Sequence, residues 1–512
     1  MQDGGFSQPH EYFSISLTVG LVELRKAQWK FVALLFVGGS YASVWAQFPG
    51  GSGPTTRLPQ QPQSPVVVQT QSERGPALFS GFAGSVPTGE RSATPLALSL
   101  NEAIHRGLLY NTGLLSSEQA TRSVAAQRLR VLSELLPQVN GSVTSVVQQT
   151  DLAAFGFKFP GLPAVIGPYG YQDARASLTA EGLNLSLIRN ARSANASLQA
   201  AKLSVQDSRE LVVQAVANAY LVILADQARL EAVQADVRTA EAEFKIASDQ
   251  KNAGTVAGID VLRAQVELKT EQQRFVVDTN QLARDKLNLS RAIGLPTGQE
   301  FTITDQFPYS PLSHATPEET VQEAYANRPD YRAAEAQVHA AELAHGAARA
   351  ERYPSIAVDA NYGVLGETFL RSHGTFGVTS SLRFPIFDGG RIRGDIEAAD
   401  AALKQRRDEL GDLRGRIDYE VRTALLNLNA AAEQVDVARS NLDLAAQTLV
   451  QARDRFAAGV ANNLEVVQAQ ESVALANDDL INSTYQHNVA KIALARAQGA
   501  TEAGLKKYLG SK

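Results

Sequence analysis

The sequence predicts a mostly α-helical chain with a membrane β part, built as a two-fold internal repeat of long coiled-coil helix hairpins plus β-hairpins. Three observations predict it. The stretch Gly254 to Gln265 returns as Gly459 to Gln470, with the glycine, a valine (Val261, Val466) and the Ala-Gln pair unchanged. Upstream of each glycine runs a seven-residue ladder inside a long stretch without proline. Two further segments, at matching places in the two copies, alternate apolar with small or polar residues. Duplication on this scale speaks to architecture more than any single motif does.

The N-terminus reads as an address. Arg25, Lys26 and Lys30 precede the apolar run Phe31 to Val37, and small residues lead to Val44-Trp45-Ala46. That pattern predicts a secretory signal peptide over 1–46. The stretch before Arg25 is long for a signal, which a misplaced start codon would explain. The apolar run is shorter than the ~20 residues a spanning helix needs, and no other segment is expected to supply one. Residues 47–94, rich in Pro, Gln, Gly and Ser, are expected to form a flexible linker.

The first repeat is expected over 95–310, with strands over about 139–187 and a helical hairpin over about 190–294. The second is expected over 311–512, with strands over about 355–387 and a hairpin over about 391–498. In the second copy the large rung of the ladder is Val421, Leu428, Val435, Leu442, Leu449 and Phe456, beside alanines at 424, 431, 438, 445 and 452. In the first copy the large rung is Val216, Ile223, Leu230, Val237 and Phe244; the small rung is Ala219, Asp226, Val233, Ala240 and Ala247. A sustained seven-residue period supercoils helices left-handed, because the apolar seam then stays against its neighbour. Alternating large and alanine rungs lets helix axes approach closely without voids. At ~1.5 Å per residue these rods reach roughly 90 to 100 Å, too long for an ordinary globular core.

In the second β region Ile356, Val358, Ala360, Tyr362 and Val364 share one face. After a loop expected at 365–374, Phe376, Val378, Leu382 and Phe384 repeat the pattern. The first region is less regular: Val139, Val143 and Val147 are followed by Ala174, Ala176, Leu178 and Ala180. The phase then changes near Gly182 to Leu183, Leu185 and Leu187, which a bulge at Gly182 would produce. Strands of about 9–11 residues with one apolar face suit a membrane barrel; a soluble hairpin capping the helices fits the same alternation. Four strands cannot close a barrel, and open edges in lipid leave backbone groups unpaired at several kcal/mol each. Two copies would give eight strands and a filled interior. Three would give twelve and begin to leave a lumen, so a channel requires a trimer or more.

Over roughly residues 96–509 the chain resembles the TolC-type outer-membrane efflux proteins. Each repeat opens with a family-like helix start, Glu102-Ala103-Ile104 through Asn111 and Glu318 through Asn327-Arg328-Pro329. Each reaches a helix-to-strand proline, at Leu136-Pro137 and Tyr353-Pro354. The second strand pair ends in Phe384-Pro385-Ile386-Phe387-Asp388-Gly389-Gly390-Arg391, close to the family's strand-to-helix junction; the first has degenerated to Leu185 through Arg192. The resemblance implies a homotrimer whose twelve strands form an outer-membrane barrel on a periplasmic α-helical barrel. It further implies partners in outer-membrane lipid, a periplasmic adaptor protein and an inner-membrane pump.

On that frame Gly254 and Gly459 lie at periplasmic turns, where positive φ is useful. Asp260 and Glu465 open the returning helices. Each carboxylate is favoured there by the helix dipole; in three symmetry copies they would also form acidic rings at the closed mouth, selecting cations. Relatives carry two carboxylates three residues apart in the second repeat. Here the first matches Glu465 and the second falls on the neutral Gln468, while their tyrosine and arginine latch positions match Phe456 and Ala461. A weaker, more hydrophobic gate is expected. Adaptor docking is expected at the tips, through Gly254, Thr255, Val256, Gly459, Val460 and Asn462. The segment 151–168 is expected to be a structured loop outside the cell.

Composition narrows the function classes. A net charge of −5 with scattered Lys and Arg argues against nucleic acid. With no cysteine and one methionine, thiolate metal sites, disulfides and a lipid-modified cysteine are excluded. No phosphate-binding loop, zinc-protease motif or nucleophile elbow is present, so no enzyme, cofactor or metal is expected. The expected function is the passive outer-membrane duct of a tripartite export system. The alternatives are a type I protein-secretion duct and, in a different class, a non-conducting periplasmic helical scaffold.

Overall fold

A computed structural model describes residues 81–156, 160–161, 163–305, 309–310, 316–458, 460–461, 463–502 and 504, all within the compact unit Gly75–Lys512. The leader expected over 1–46, most of the linker, and the tip residues Gly459 and Asn462 lie outside the described residues. Part of the linker differs from expectation. Residues 85–94 are tied to the first repeat: the Val86 N–H donates to the Tyr110 carbonyl, Thr88 to Gly294, and Ser92 to Gln299 Oε1.

The first repeat runs β1 (Leu96–Leu98), α1 (Leu100–Tyr110), α2 (Thr112–Ser133), β2 (Gln138–Asp151), β3 (Val165–Leu183), α3 (Leu185–Asn252) and α4 (Gly258–Ile293). The second follows as β4 (Phe301–Ile303), α5 (Pro317–Asn327), α6 (Pro329–Ala350), β5 (Ser355–Thr368), β6 (Arg371–Arg383), α7 (Arg391–Ala457) and α8 (Asn463–Ala497). With 68 and 67 residues, α3 and α7 each span about 100 Å. At the start of each a side chain satisfies otherwise orphaned N–H groups, from the N-cap itself in α3 and from two residues before the N-cap Gly390 in α7. Asn184 accepts from Leu187, and Asp388 accepts from Gly390 and Ile392.

The ladder lies where the heptads put it, with Val216, Ile223, Val421, Leu428 and Val435 buried beside Ala424, Ala431 and Ala438. The expectation that no further segment supplies a spanning helix meets one candidate. By length and composition α3 contains a stretch apolar enough to cross a membrane, but 56% of that stretch is buried inside the protein. Val212, Val213, Val216, Tyr220 and Ile223 belong to the core where α1, α3, α4 and α8 meet, so the stretch is apolar because it packs on helices.

The four long strands form one antiparallel sheet in the order β2-β3-β5-β6. Register aligns the apolar faces across the repeats. Val139 pairs with Leu178, Leu178 with Ala360, and Ala360 with Val378. One row on, Gly141, Ala176, Tyr362 and Phe376 align in the same way. Residues directly opposite in a ladder point to one face, so a single apolar face crosses all four strands. The other face carries Asn140, Ser177, Asn361 and Gly377 in register. There Arg175 pairs with Asp173 at 3.1 Å and donates to Asn361 at 2.8 Å.

Two strand ends differ from the pattern. The register shift between Glu181 and Leu183 marks a bulge at Gly182, but the strand stops at Leu183. Leu185 and Leu187 open α3 instead, since the Asn184 cap starts the helix there. The loop expected at 365–374 shrinks to Phe369 and Leu370, because the ladder continues to the pair Thr368–Arg371. Between β2 and β3 a 3₁₀ turn at Ala153–Phe155 orders part of the longer loop, with Asp151 accepting from Ala153; Phe157 and Phe159 lie outside the described residues.

Candidate functional site at the paired hairpin tips

Both tips close by the same turn. After α3, the Ala253 N–H returns to Asp249 and the Thr255 N–H to Gln250, while Gly254 takes φ +76°. After α7, the Ala458 N–H returns to Asp454 and the Val460 N–H to Arg455. A positive-φ residue past a helix end allows these reversed bonds to satisfy the last carbonyls. The Thr255 hydroxyl adds a second bond to the Gln250 carbonyl at 2.9 Å.

The two tips face each other across a cavity of about 630 Å³. Of the expected gate residues, Asp260, Phe456 and Ala461 line it, as do the tip residues Thr255 and Val256. Asp260 pairs at 3.4 Å with Arg263 one turn on. Phe456 packs on a small cluster of Ala452, Val466 and Ala469. Glu465 and Gln468 do not join them. Both are exposed on the first turns of α8, and Glu465 lies 3.7 Å from Arg455 across its own hairpin turn.

A contact that joins the hairpins near the tips was not expected. Glu243 on α3 pairs with Arg453 on α7 at 3.2 Å and also accepts from the Gln470 side-chain amide on α8. Gln470 belongs to the duplicated Ala-Gln pair, so a signal existed. Its counterpart Gln265 is exposed, and the positions matching Glu243 and Arg453 are Thr448 and Ser248. The repeat is therefore asymmetric at this junction.

Further from the tips lies a set of carboxylates that motif reading also missed. Asp226 and Glu271 are only 6% and 5% exposed. Arg229 holds Asp226 at 3.1 Å and reaches Asp478 at 3.8 Å; Arg274 holds Glu271 at 3.1 Å. Asp236, Glu267, Glu271 and Glu471 line a cavity of about 210 Å³ together with Arg453 and Gln470. Burial, then the neighbouring Asp285 carboxyl, push Asp226 up to about 7 against the pull of Arg229. Burial likewise raises Asp236, Glu267, Glu271 and Asp278. The available signal was small: Asp226 sits on the ladder rung that is alanine at Ala431 in the second copy. Among the described residues, no group of three or more His, Asp or Glu is arranged to hold a metal ion.

Solved structures with this fold include outer-membrane channels. A family profile described as "Outer membrane efflux protein" matches residues 104–295 and 320–500, one segment per repeat. The chain is 26% identical over 380 residues to the probable efflux pump outer membrane protein SepC of Pseudomonas putida, covering 72% of this chain and 76% of that protein. It is 23% identical over 453 residues to the toluene efflux pump outer membrane protein TtgC of another Pseudomonas putida strain, covering 86% and 91%. The crystal structure of the Campylobacter jejuni CmeC outer membrane channel matches with a TM-score of 0.69 at 15% identity, over 84% of this chain and 94% of that one. The family and these relatives are channel components rather than enzymes. The chain belongs to the outer membrane efflux protein family: it is the outer-membrane channel component of an efflux pump, with a periplasmic extension.

Proposed function

We propose that three copies of this chain close one twelve-stranded barrel in the outer membrane above a twelve-helix periplasmic tunnel. One observation carries this reading. A single apolar face crosses all four strands, while among the described residues β2 and β6 each have one ladder partner only. A lipid-facing sheet with two open edges is unstable until β2 of one copy pairs with β6 of the next. Residues 95–310 and 311–512 act as the two structural repeats of each copy. The α3–α4 and α7–α8 hairpins of three copies supply the tunnel wall.

At its narrow end the tips Gly254, Thr255, Val256, Gly459, Val460 and Asn462 dock a periplasmic adaptor, which links the duct to an inner-membrane pump. Asp260, Phe456 and Ala461 form the gate, beside the Glu243 and Arg453 side chains that line the same cavity, and Glu465 and Gln468 line the outer rim of the mouth. The duct carries small molecules rather than polypeptides, a reading favoured by relatives such as the toluene efflux protein. Purified protein in planar bilayers tests the whole reading. A heat-modifiable trimer with ion conductance is expected; a soluble, non-conducting species would sink it in favour of a periplasmic scaffold. Glu465→Ala is expected to weaken cation preference. An unchanged preference in single-channel recordings removes Glu465 from the mouth.

A further inference from the structure

At the end of the sheet that joins the helices, the chain exposes a compact apolar corner. β6 stops at Arg383, and Phe384, Pro385, Ile386 and Phe387 bring the backbone to the Asp388 cap of α7. Ile386 and Phe387 are 88% and 91% exposed, and Leu136, Leu183 and Tyr353 are exposed at the same end of the other three strands. Exposed apolar residues in contiguous groups mark contact with lipid or a partner. Leu183, opposite Ile356 in the ladder, continues the apolar face of the sheet to this end.

A cavity of about 220 Å³ opens in this corner, lined by Pro385, Ile386, Phe387, Asp388 and Ile392 together with Arg352 and Arg393. Its charge is not balanced from within. Asp388, the carboxylate in the lining, is engaged by the N–H groups of Ile392 and Gly390, and those bonds hold its pKa below the usual value. Arg391 is held by Glu351 and Asp395. Arg393 uses its Nε on Glu397, which leaves its terminal nitrogens to donate elsewhere. Arg352 has no carboxylate within salt-bridge distance among the described residues. Two guanidinium groups beside one committed carboxylate, next to an exposed Ile-Phe pair, complement an anion that carries hydrocarbon. Guanidinium forks match phosphate oxygens in geometry as well as charge.

We infer that this corner binds a phospholipid of the periplasm-facing leaflet, with the phosphate held between Arg352 and Arg393 and the acyl chains against Ile386 and Phe387. Such a contact fixes the depth of the barrel at the point where strands become helices. In a chain without cysteine it supplies a non-covalent anchor. The inference rests on the proposed insertion of the sheet, and the two fail differently. Without insertion the wild-type protein conducts nothing, whereas a lost lipid site leaves wild-type conductance intact.

Native mass spectrometry of the full-length protein, titrated with phosphatidylglycerol in mild detergent, tests it. Saturable binding is expected, weakened about tenfold in Arg352→Gln/Arg393→Gln and by less in Arg352→Lys/Arg393→Lys, which keeps the charge and loses the fork. Dioleoylglycerol, which has chains but no phosphate, is expected to bind no better than phosphatidylglycerol binds the Gln variant. Equal phosphatidylglycerol binding by wild type and the Gln variant overturns the proposal. So does displacement of the lipid by inorganic phosphate, which identifies a free-anion site. A third overturning outcome is loss of the oligomer in both the Gln variant and a Glu134→Gln variant, Glu134 being the acidic residue between α2 and β2. That result means the two arginines serve the seam with the α2–β2 corner of the next copy instead of a lipid phosphate.

Discussion

At the residue scale, the buried charges distinguish the two repeats. Arg328 is 3% exposed, donates to Asp330 at 2.7 Å and Glu420 at 2.6 Å, and also reaches the Ala497 carbonyl. Burial opposes its charge, yet the two carboxylates hold it more firmly protonated than usual. Arg328→Ala removes the buried charge and leaves Asp330 and Glu420 partly open to water, and is expected to cost about 1–3 kcal/mol, read as a lower midpoint in denaturant unfolding. At the matching helix break the first repeat has Asn111, which caps α2 through Gly113 and donates to the Phe82 carbonyl. Asp226 behaves in the opposite sense to an ordinary paired carboxylate. Its folded pKa of about 7 lies above the unfolded value of ~3.9, so the folded state binds the proton more tightly. The resulting stabilisation is fully present below pH ~4 and is lost as pH rises through about 7. Amides of α3 near Asp226 should therefore exchange more slowly at pH 5 than at pH 8, once the intrinsic pH dependence of exchange is divided out. In Asp226→Asn the difference should shrink, leaving the smaller slope due to Asp236, Glu267 and Glu271, whose shifts have the same sign. An undiminished difference would assign the slope to other groups.

At the element scale, two glycines separate backbone need from space. Gly254 has φ +76° and nothing within 4 Å of an added Cβ. Gly254→Val is expected to cost about 1–2 kcal/mol, all from the left-handed backbone, and to loosen only the tip. Faster exchange at Thr255 and Val256 with unchanged global unfolding would match this. At Gly363 a Cβ would lie 2.6 Å from the Ala174 carbonyl oxygen and 2.3 Å from the Arg175 Cβ. Gly363→Val should force β3 and β5 apart, costing about 1–3 kcal/mol, and lower the temperature at which the heat-modifiable form is lost. The tip glycine was legible because it recurs at a helix end without side-chain partners. The sheet glycine was not, because its constraint comes from β3, a strand far away in the sequence. The same division holds for the site. Asp260, Phe456 and Ala461 were readable as tip residues, whereas Glu243 and Arg453 looked like ordinary charges on a solvated helix face until α3 and α7 came together.

At the scale of the whole molecule, the unsatisfied sheet edges dominate. Within one copy β2 and β6 are three strand spacings apart, about 14 Å, beyond the reach of a disulfide. The chain has no cysteine, so a pair introduced on the two edges, Val143→Cys with Val378→Cys and its register neighbours, reports pairing between copies alone. A covalent ladder ending at three chains is expected on oxidation in membranes. Products confined to one chain would mean that the sheet closes in some other way.

The sequence by itself determined the duplication, the long helices, the turns at both tips and the alternating strands, because each follows from local periodicity and backbone preference. It also carried enough ordered motifs to indicate the family. Tertiary structure alone decided how the two repeats share one sheet, with β3 beside β5 and a common apolar face, because that order depends on contacts between distant segments. It likewise decided which tip carboxylate faces the cleft: Asp260 and Glu465 occupy matching sequence positions, yet only Asp260 lines it. The repeats are alike along the chain and differ where they meet, since packing one hairpin against another removes the symmetry that either has alone.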